Sequence, residues 1–223
     1  MPSTTPVPVP TVLAVTFPVV PAAPTAILTI QSVTSPAGMS VVGARIFQQS
    51  GFSGDVQTPV LPYVFSSLNP PQGIFTVEVL AFDPYSGDWS MRLPNQTLGS
   101  VVSFTSTFTA APTLTANQSG GTIAYSSNAT ATIADITLRD ISTGSSWFIT
   151  VNPQTTGVSL PAVPASITNP FIIGNQYDLS FSLYVFNGYS HTSFNQAWTS
   201  ETPFDFETIE VESVTSLVVP YTY

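Results

Sequence analysis

The chain reads as an all-β protein built from two tandem β-sandwich domains, and three observations predict this. From Thr25 onward no window sustains a helical period, whereas apolar and polar residues alternate with period two between clusters of Gly, Pro, Asn and Asp. The 223 residues are too many for one small sandwich of about 100 residues and suit two. Strand and turn segments of the first half also recur, in the same order, in the second.

The first 24 residues carry Pro at 2, 6, 8, 10, 18, 21 and 24, a spacing that denies both helix and central strand, so residues 1–24 are expected to form an extended arm. The apolar stretch Val12–Val20 is interrupted by Thr16 and Pro18 and has no basic segment before it, which argues against a secretory signal. No apolar run reaches the roughly 18 residues of a spanning helix, so no direct membrane span is expected.

Strands are expected at Ala26–Val33 and Val41–Phe47, then at Phe75–Ala81, where Phe75, Val77, Val79 and Ala81 share one face. The turn Asp83-Pro-Tyr-Ser-Gly-Asp88 leads to a return through Trp89 to Leu93, and Val102, Phe104 and Phe108 mark a further strand. Thr130–Arg139 and Ser146–Val151 form a pair joined at Asp140–Gly144. Tyr177–Phe186 is the clearest strand, with Tyr177, Leu179, Phe181, Leu183 and Val185 on one face. Asn187-Gly188 after it predicts a tight hairpin, so Tyr189–Trp198 is expected to return as a strand.

Leu28–Ser35 resembles Ile136–Thr143, Asn69-Pro70 recurs as Asn169-Pro170, and Phe82-Asp-Pro-Tyr-Ser86 recurs as Phe186-Asn-Gly-Tyr-Ser190. The boundary implied at Ala110-Ala111-Pro112 divides the chain into sandwiches at residues 25–110 and 111–223.

Charge narrows the function. Only 7% of residues are Asp, Glu, Lys or Arg, against about 25% in ordinary soluble domains. The only cations are Arg45, Arg92 and Arg139, which speaks against nucleic acid as a partner. Of the twelve carboxylates, Glu201, Asp205, Glu207, Glu210 and Glu212 cluster near the end of the chain. A surface made mainly of Ser, Thr, Asn and Gln has few groups to titrate, so stability should vary little between pH 7 and about pH 3.

No catalytic constellation is expected, nor any cofactor or metal. His191 is the lone imidazole, no Gly-x-Ser-x-Gly elbow accompanies it, and zinc lacks both thiolates and a second His. Glu210 and Glu212 share one strand face, as a glycosidase pair could, but their cluster reads as an exposed edge. Asp83 and Asp88 bracket a Gly-containing turn whose spacing is not that of an EF-hand; a plain turn is expected and calcium is left open. Asn95, Asn117 and Asn128 head sequons. With no Cys, the 15 Phe, 8 Tyr and 3 Trp must supply the core.

Asn69–Asp83 and Gly174–Asn187 look like the penultimate strand of fibronectin type III or immunoglobulin-like modules. The whole chain, with its size, missing Lys and Cys, Pro-rich start and Ser/Thr/Asn-rich strands, is similar to vertex-turret proteins of the Sulfolobus turreted icosahedral viruses. That resemblance implies stacked jelly-roll domains, a pentamer at the capsid fivefold axes, other capsid and vertex proteins as partners, and virions assembled in the host cytoplasm; a host surface receptor is a further partner it leaves open. The reading is a non-enzymatic virion structural protein. The alternative is a cell-surface adhesion or carbohydrate-binding module pair.

Overall fold

The computed structural model describes residues 23–48, 51–115, 121–160, 176–199 and 208–222. The extended arm, apart from Ala23 and Pro24, and the Asn169-Pro170 match lie outside them. The strands are β1 (Thr25–Thr34), β2 (Ser40–Phe47), β3 (Ser53–Gln57), β4 (Tyr63–Ser67), β5 (Phe75–Asp83), β6 (Gly87–Gln96), β7 (Ser100–Thr105), β8 (Thr122–Ala124), β9 (Ile133–Arg139), β10 (Ser146–Val151), β11 (Gly157–Ser159), β12 (Gln176–Phe186), β13 (Val211–Ser216) and β14 (Val219–Thr222). One helix, α1 (His191–Thr199), stands between β12 and β13.

Nine strands form one sheet in the order β10-β9-β12-β13-β6-β5-β2-β3, with β14 following β13 along the same edge of β12. Two smaller sheets, β4-β1-β7 and β11-β8, complete the fold. The large sheet's core face shows the expected alternation. Phe75, Val77, Val79 and Ala81 of β5 are buried, as are Tyr177, Leu179, Phe181 and Leu183 of β12. Ile27, Leu28, Ile30, Phe65, Val102, Phe104, Ile123 and Tyr125 of the small sheets and their flanks join them in one continuous core. Each large side chain buried this way contributes about 1.5–3 kcal/mol.

The halves repeat one pairing scheme. In the first, β2 pairs β3 and β5, β5 pairs β6, and β1 pairs β4. In the second, β9 pairs β10 and β12, β12 pairs β13, and β8 pairs β11. Registers match as well: Ala44 faces Val79 and Ile46 faces Val77, as Ala134 faces Leu183 and Ile136 faces Phe181. Phe82 and Phe186 thus close equivalent strands. Each half has the G-F-C-C′ order of immunoglobulin-like sheets, the topology the strand patterns left open beside a jelly roll.

The Leu28–Ser35 match with Ile136–Thr143 does not survive, because β1 belongs to a small sheet and β9 to the large one; the counterpart of β9 is β2. The large sheet also runs through the 110/111 boundary, since β6 pairs β13 in antiparallel register. Trp89 faces Val214 and Met91 faces Glu212 on either side of the Ser90–Ser213 pair, whose hydroxyls lie 2.9 Å apart. The antiparallel register makes the pairing locally twofold-symmetric about the point between those two serines.

The expected strand at Tyr189–Trp198 is instead α1. A tight hairpin turn of the favoured kind requires positive φ at both central residues, and here only Gly188 has it. The chain leaves the turn into a cap: Ser190 N–H donates to Ser193 Oγ (2.9 Å) and Ser193 N–H to Ser190 Oγ (3.2 Å). Tyr189 then stacks edge-on against Phe194, centroids 6.3 Å apart, as a hydrophobic staple. The place beside β12 goes to β13.

Gly87 opens β6 at φ +122, and a Cβ there would sit 2.0 Å from the Thr215 carbonyl oxygen. The β5–β6 turn therefore abuts β13 so closely that no side chain fits. Gly87→Ala is expected to cost more than about 3 kcal/mol. Gly188→Ala, at φ +85 with open space around it, should cost only about 1–2 kcal/mol. Urea denaturation of both variants checks the contrast.

Candidate functional site

The carboxylates singled out by sequence separate in space. Glu212 is 2% exposed and points from β13 into the core. Its Oε1 accepts from Trp89 Nε1 (2.7 Å) and Ser106 Oγ, and its Oε2 from Thr107 Oγ1; Thr107 N–H lies 3.1 and 3.0 Å from the two oxygens. All four donor groups are neutral. The carboxylate binds the segment that follows β7 to the large sheet and is closed to a substrate. Glu210 lies before β13 and accepts from Asn187 Nδ2 at 3.0 Å, with Asn187 N–H also donating to the Glu210 carbonyl. The pair expected on an exposed edge is thus one core staple and one turn clamp. Glu201, Asp205 and Glu207 lie outside the described residues.

The other candidates have local partners too. His191 Nδ1 is 2.9 Å from the Thr132 carbonyl oxygen, to which only a protonated nitrogen can donate. Nε2 then accepts from Asn195 Nδ2 at 3.2 Å, so the imidazole pins the first turn of α1 to the entry of β9. Asp83 accepts from Tyr85 N–H (3.1 Å) and from the Ser86 hydroxyl, capping its own turn, while Asp88 is exposed in β6. Asn95 is exposed at φ 62 and donates to the Thr208 carbonyl. Asn128 Oδ1 accepts from Thr130 and Ala131 N–H. Asn117 lies outside the described residues. Arg45 pairs with Glu78 across β2 and β5.

Sequence reasoning missed a groove of about 680 Å³ on the outer face of the large sheet. Val211, Phe186 and Phe194 give it apolar walls, and Arg92, Asp135 and Tyr184 give it polar ones. Burial raises the Asp135 pKa, and a 2.7 Å hydrogen bond from Thr150 Oγ1 offsets part of that rise. Tyr184 is raised by burial and then by the charge of Asp135. The residues come from β6, β9, β10, β12, β13 and α1, so nothing adjacent in sequence signals the groove.

Packing surface is more extensive. Val64 of β4 and Val101 of β7 flank Thr29 on the outward face of the three-stranded sheet, and both are exposed. Ile141 in the β9–β10 turn and Phe148 in β10 are exposed at one end of the large sheet. No charged residue lies in β4, β7 or β10. No protein-family model matches the chain, and no curated protein sequence does.

Two predictions follow from these carboxylates. Glu212→Ala leaves the Trp89 indole N–H, buried in the core, without its acceptor and releases Thr107 after β7; it is expected to cost about 1–3 kcal/mol in chemical denaturation, the penalty for a buried donor left unsatisfied. The second concerns pH. Asp140 accepts from Ser142 Oγ, which is the main cause of its lowered pKa, and from Ser142 and Thr143 N–H. Its stabilisation is complete above the unfolded value of 3.8 and is lost as pH falls through the lower folded value. Asp135 has the opposite sign: its penalty is present at pH 7 and disappears as pH falls from its raised folded value through 3.8. Calorimetry from pH 7 to pH 3 should therefore show little net change in Tm. Asp135→Asn should raise Tm at pH 7 but not at pH 3.

Proposed function

We propose that the chain is a structural subunit that works by packing against other protein subunits, as a turret component at the fivefold vertices of a virion. The supporting observation is exposed apolar surface on uncharged strands: Val64, Val101 and Phe148 face solvent, with Ile141 exposed in the turn before β10, in a protein with only 7% charged residues. The centres of obligate interfaces are apolar and depleted in charge, and so few like charges give an isolated monomer little to keep it soluble. The likeness to turret proteins supplies the specific place, a cyclic and pentameric ring with one heterologous contact repeated around the axis. The neutral hydroxyl-rich exterior and the opposing acid responses of Asp135 and Asp140 suit a surface exposed to acid.

The groove under α1 supports a second reading, a carbohydrate-binding module, because it sets aromatic and apolar walls beside groups that hydrogen-bond hydroxyls. Sedimentation of the purified protein separates the two. A packing subunit should form a closed ring whose association changes less than about threefold between roughly 0.05 and 0.5 M salt, since apolar contacts are not screened. Particles lacking the chain should lose their vertex projections when imaged. A protein that stays monomeric at high concentration, is absent from particles and binds oligosaccharides through Tyr184 would overturn the packing reading.

A further inference from the structure

The two ends of the large sheet are unequal. The β3 edge, Ser53–Gln57, is protected against pairing by Gly54 and Asp55. The β10 edge, Ser-Trp-Phe-Ile-Thr-Val from Ser146 to Val151, has no charge, proline or glycine and exposes 76% of Phe148. Among the described residues no strand pairs with its outer side. An apolar, β-branched edge of this length is a template for another strand unless something covers it.

The chain carries a segment that fits. Between Pro10 and Pro18 lies the arm's one long proline-free run, Thr-Val-Leu-Ala-Val-Thr-Phe from Thr11 to Phe17. Its seven residues match the six of β10, it is rich in strand-forming side chains, and the prolines at its ends stop pairing from spreading. No charged side chain occurs in residues 1–24. We propose that Thr11–Phe17 of one copy adds as a strand to the β10 edge of a neighbouring copy, extending the large sheet from subunit to subunit.

Reach favours a neighbour over the same chain. Phe65 of β4 and Ile46 of β2 both lie within 4.0 Å of where a Gly54 side chain would begin, so the β4-β1-β7 sheet covers the β2–β3 end. From there β10 is at least five strand spacings away, about 24 Å, with a further step of about 10 Å between layers. Three of the seven linking residues, Pro18, Pro21 and Pro24, hold the chain near the polyproline rise of about 3.1 Å per residue, so the eight steps from Phe17 to Thr25 span about 25 Å, less than the resulting separation of about 26 Å. Main-chain hydrogen bonds would supply affinity, and the prolines' preset φ angles lower the ordering cost.

This rests on the packing reading, and the test separates the two. The chain has no cysteine, so Val15→Cys and Phe148→Cys, made together in the full-length protein, introduce its only thiols. Oxidation should produce a ladder of disulfide-linked multimers on a non-reducing gel. Val15→Pro, which leaves every described residue untouched, should weaken self-association about tenfold or more through a lost ladder hydrogen bond. Phe148→Lys, at an exposed position, should do the same with Tm unchanged. A cross-link confined to the monomer band, or rings that form equally well with Val15→Pro, overturns the arm exchange and leaves the packing reading standing. A wild-type chain that remains monomeric overturns both.

Discussion

The fold depends on one buried carboxylate. Glu212 sits in β13 beside the seam where the two halves meet, and all its hydrogen bonds come from neutral groups: an indole, two hydroxyls and a backbone N–H. A carboxyl group taken out of water is costly unless its oxygens are hydrogen-bonded, and here both are. The donors come from β6 and from the segment after β7, so a single residue fixes the seam of the large sheet and the layer above it together.

That seam explains why two similar halves make one continuous sheet. β6 and β13 occupy corresponding places in their halves and pair with each other symmetrically about the point between Ser90 and Ser213. Two edges that would otherwise need protection thereby cover one another. Near-symmetry holds along the backbone and breaks in the side chains: Trp89 and Glu212 occupy corresponding positions, and the hydrogen bond between them uses that difference. The outermost strands differ as well, β3 guarded by glycine and aspartate, β10 by neither.

With so few charges, polar contacts rest on hydroxyls and amides. Ser32–Ser103, Ser90–Ser213 and Ser182–Thr215 join neighbouring strands, and Thr150 serves Asp135. Such bonds carry no net charge and are little affected by salt, so the surface can pass from neutral to acidic solution with only a few groups changing state. Asp135 and Asp140 shift stability in opposite directions, because burial acts on Asp135 and turn hydroxyls on Asp140.

Period-two alternation by itself determined the all-β class and the buried faces of β5 and β12, since a strand's side chains must alternate whatever it packs against. Composition by itself determined the shortage of charge that makes ionic chemistry scarce. The helix α1 was legible in principle, in Ser190 and Ser193 before Phe194, but the Asn187-Gly188 dipeptide gave the stronger signal, and only the φ of Asn187 decides between hairpin and cap. Tertiary structure alone decided that β9 answers to β2, that β6 pairs β13, and that Glu212 turns inward to neutral donors over a hundred residues away in sequence. It alone assembled the groove of Arg92, Asp135 and Tyr184 from strands of both halves. Alternation says which face of a strand is buried; it does not say which strand lies beside it, because partner choice depends on contacts between distant residues that local pattern does not encode.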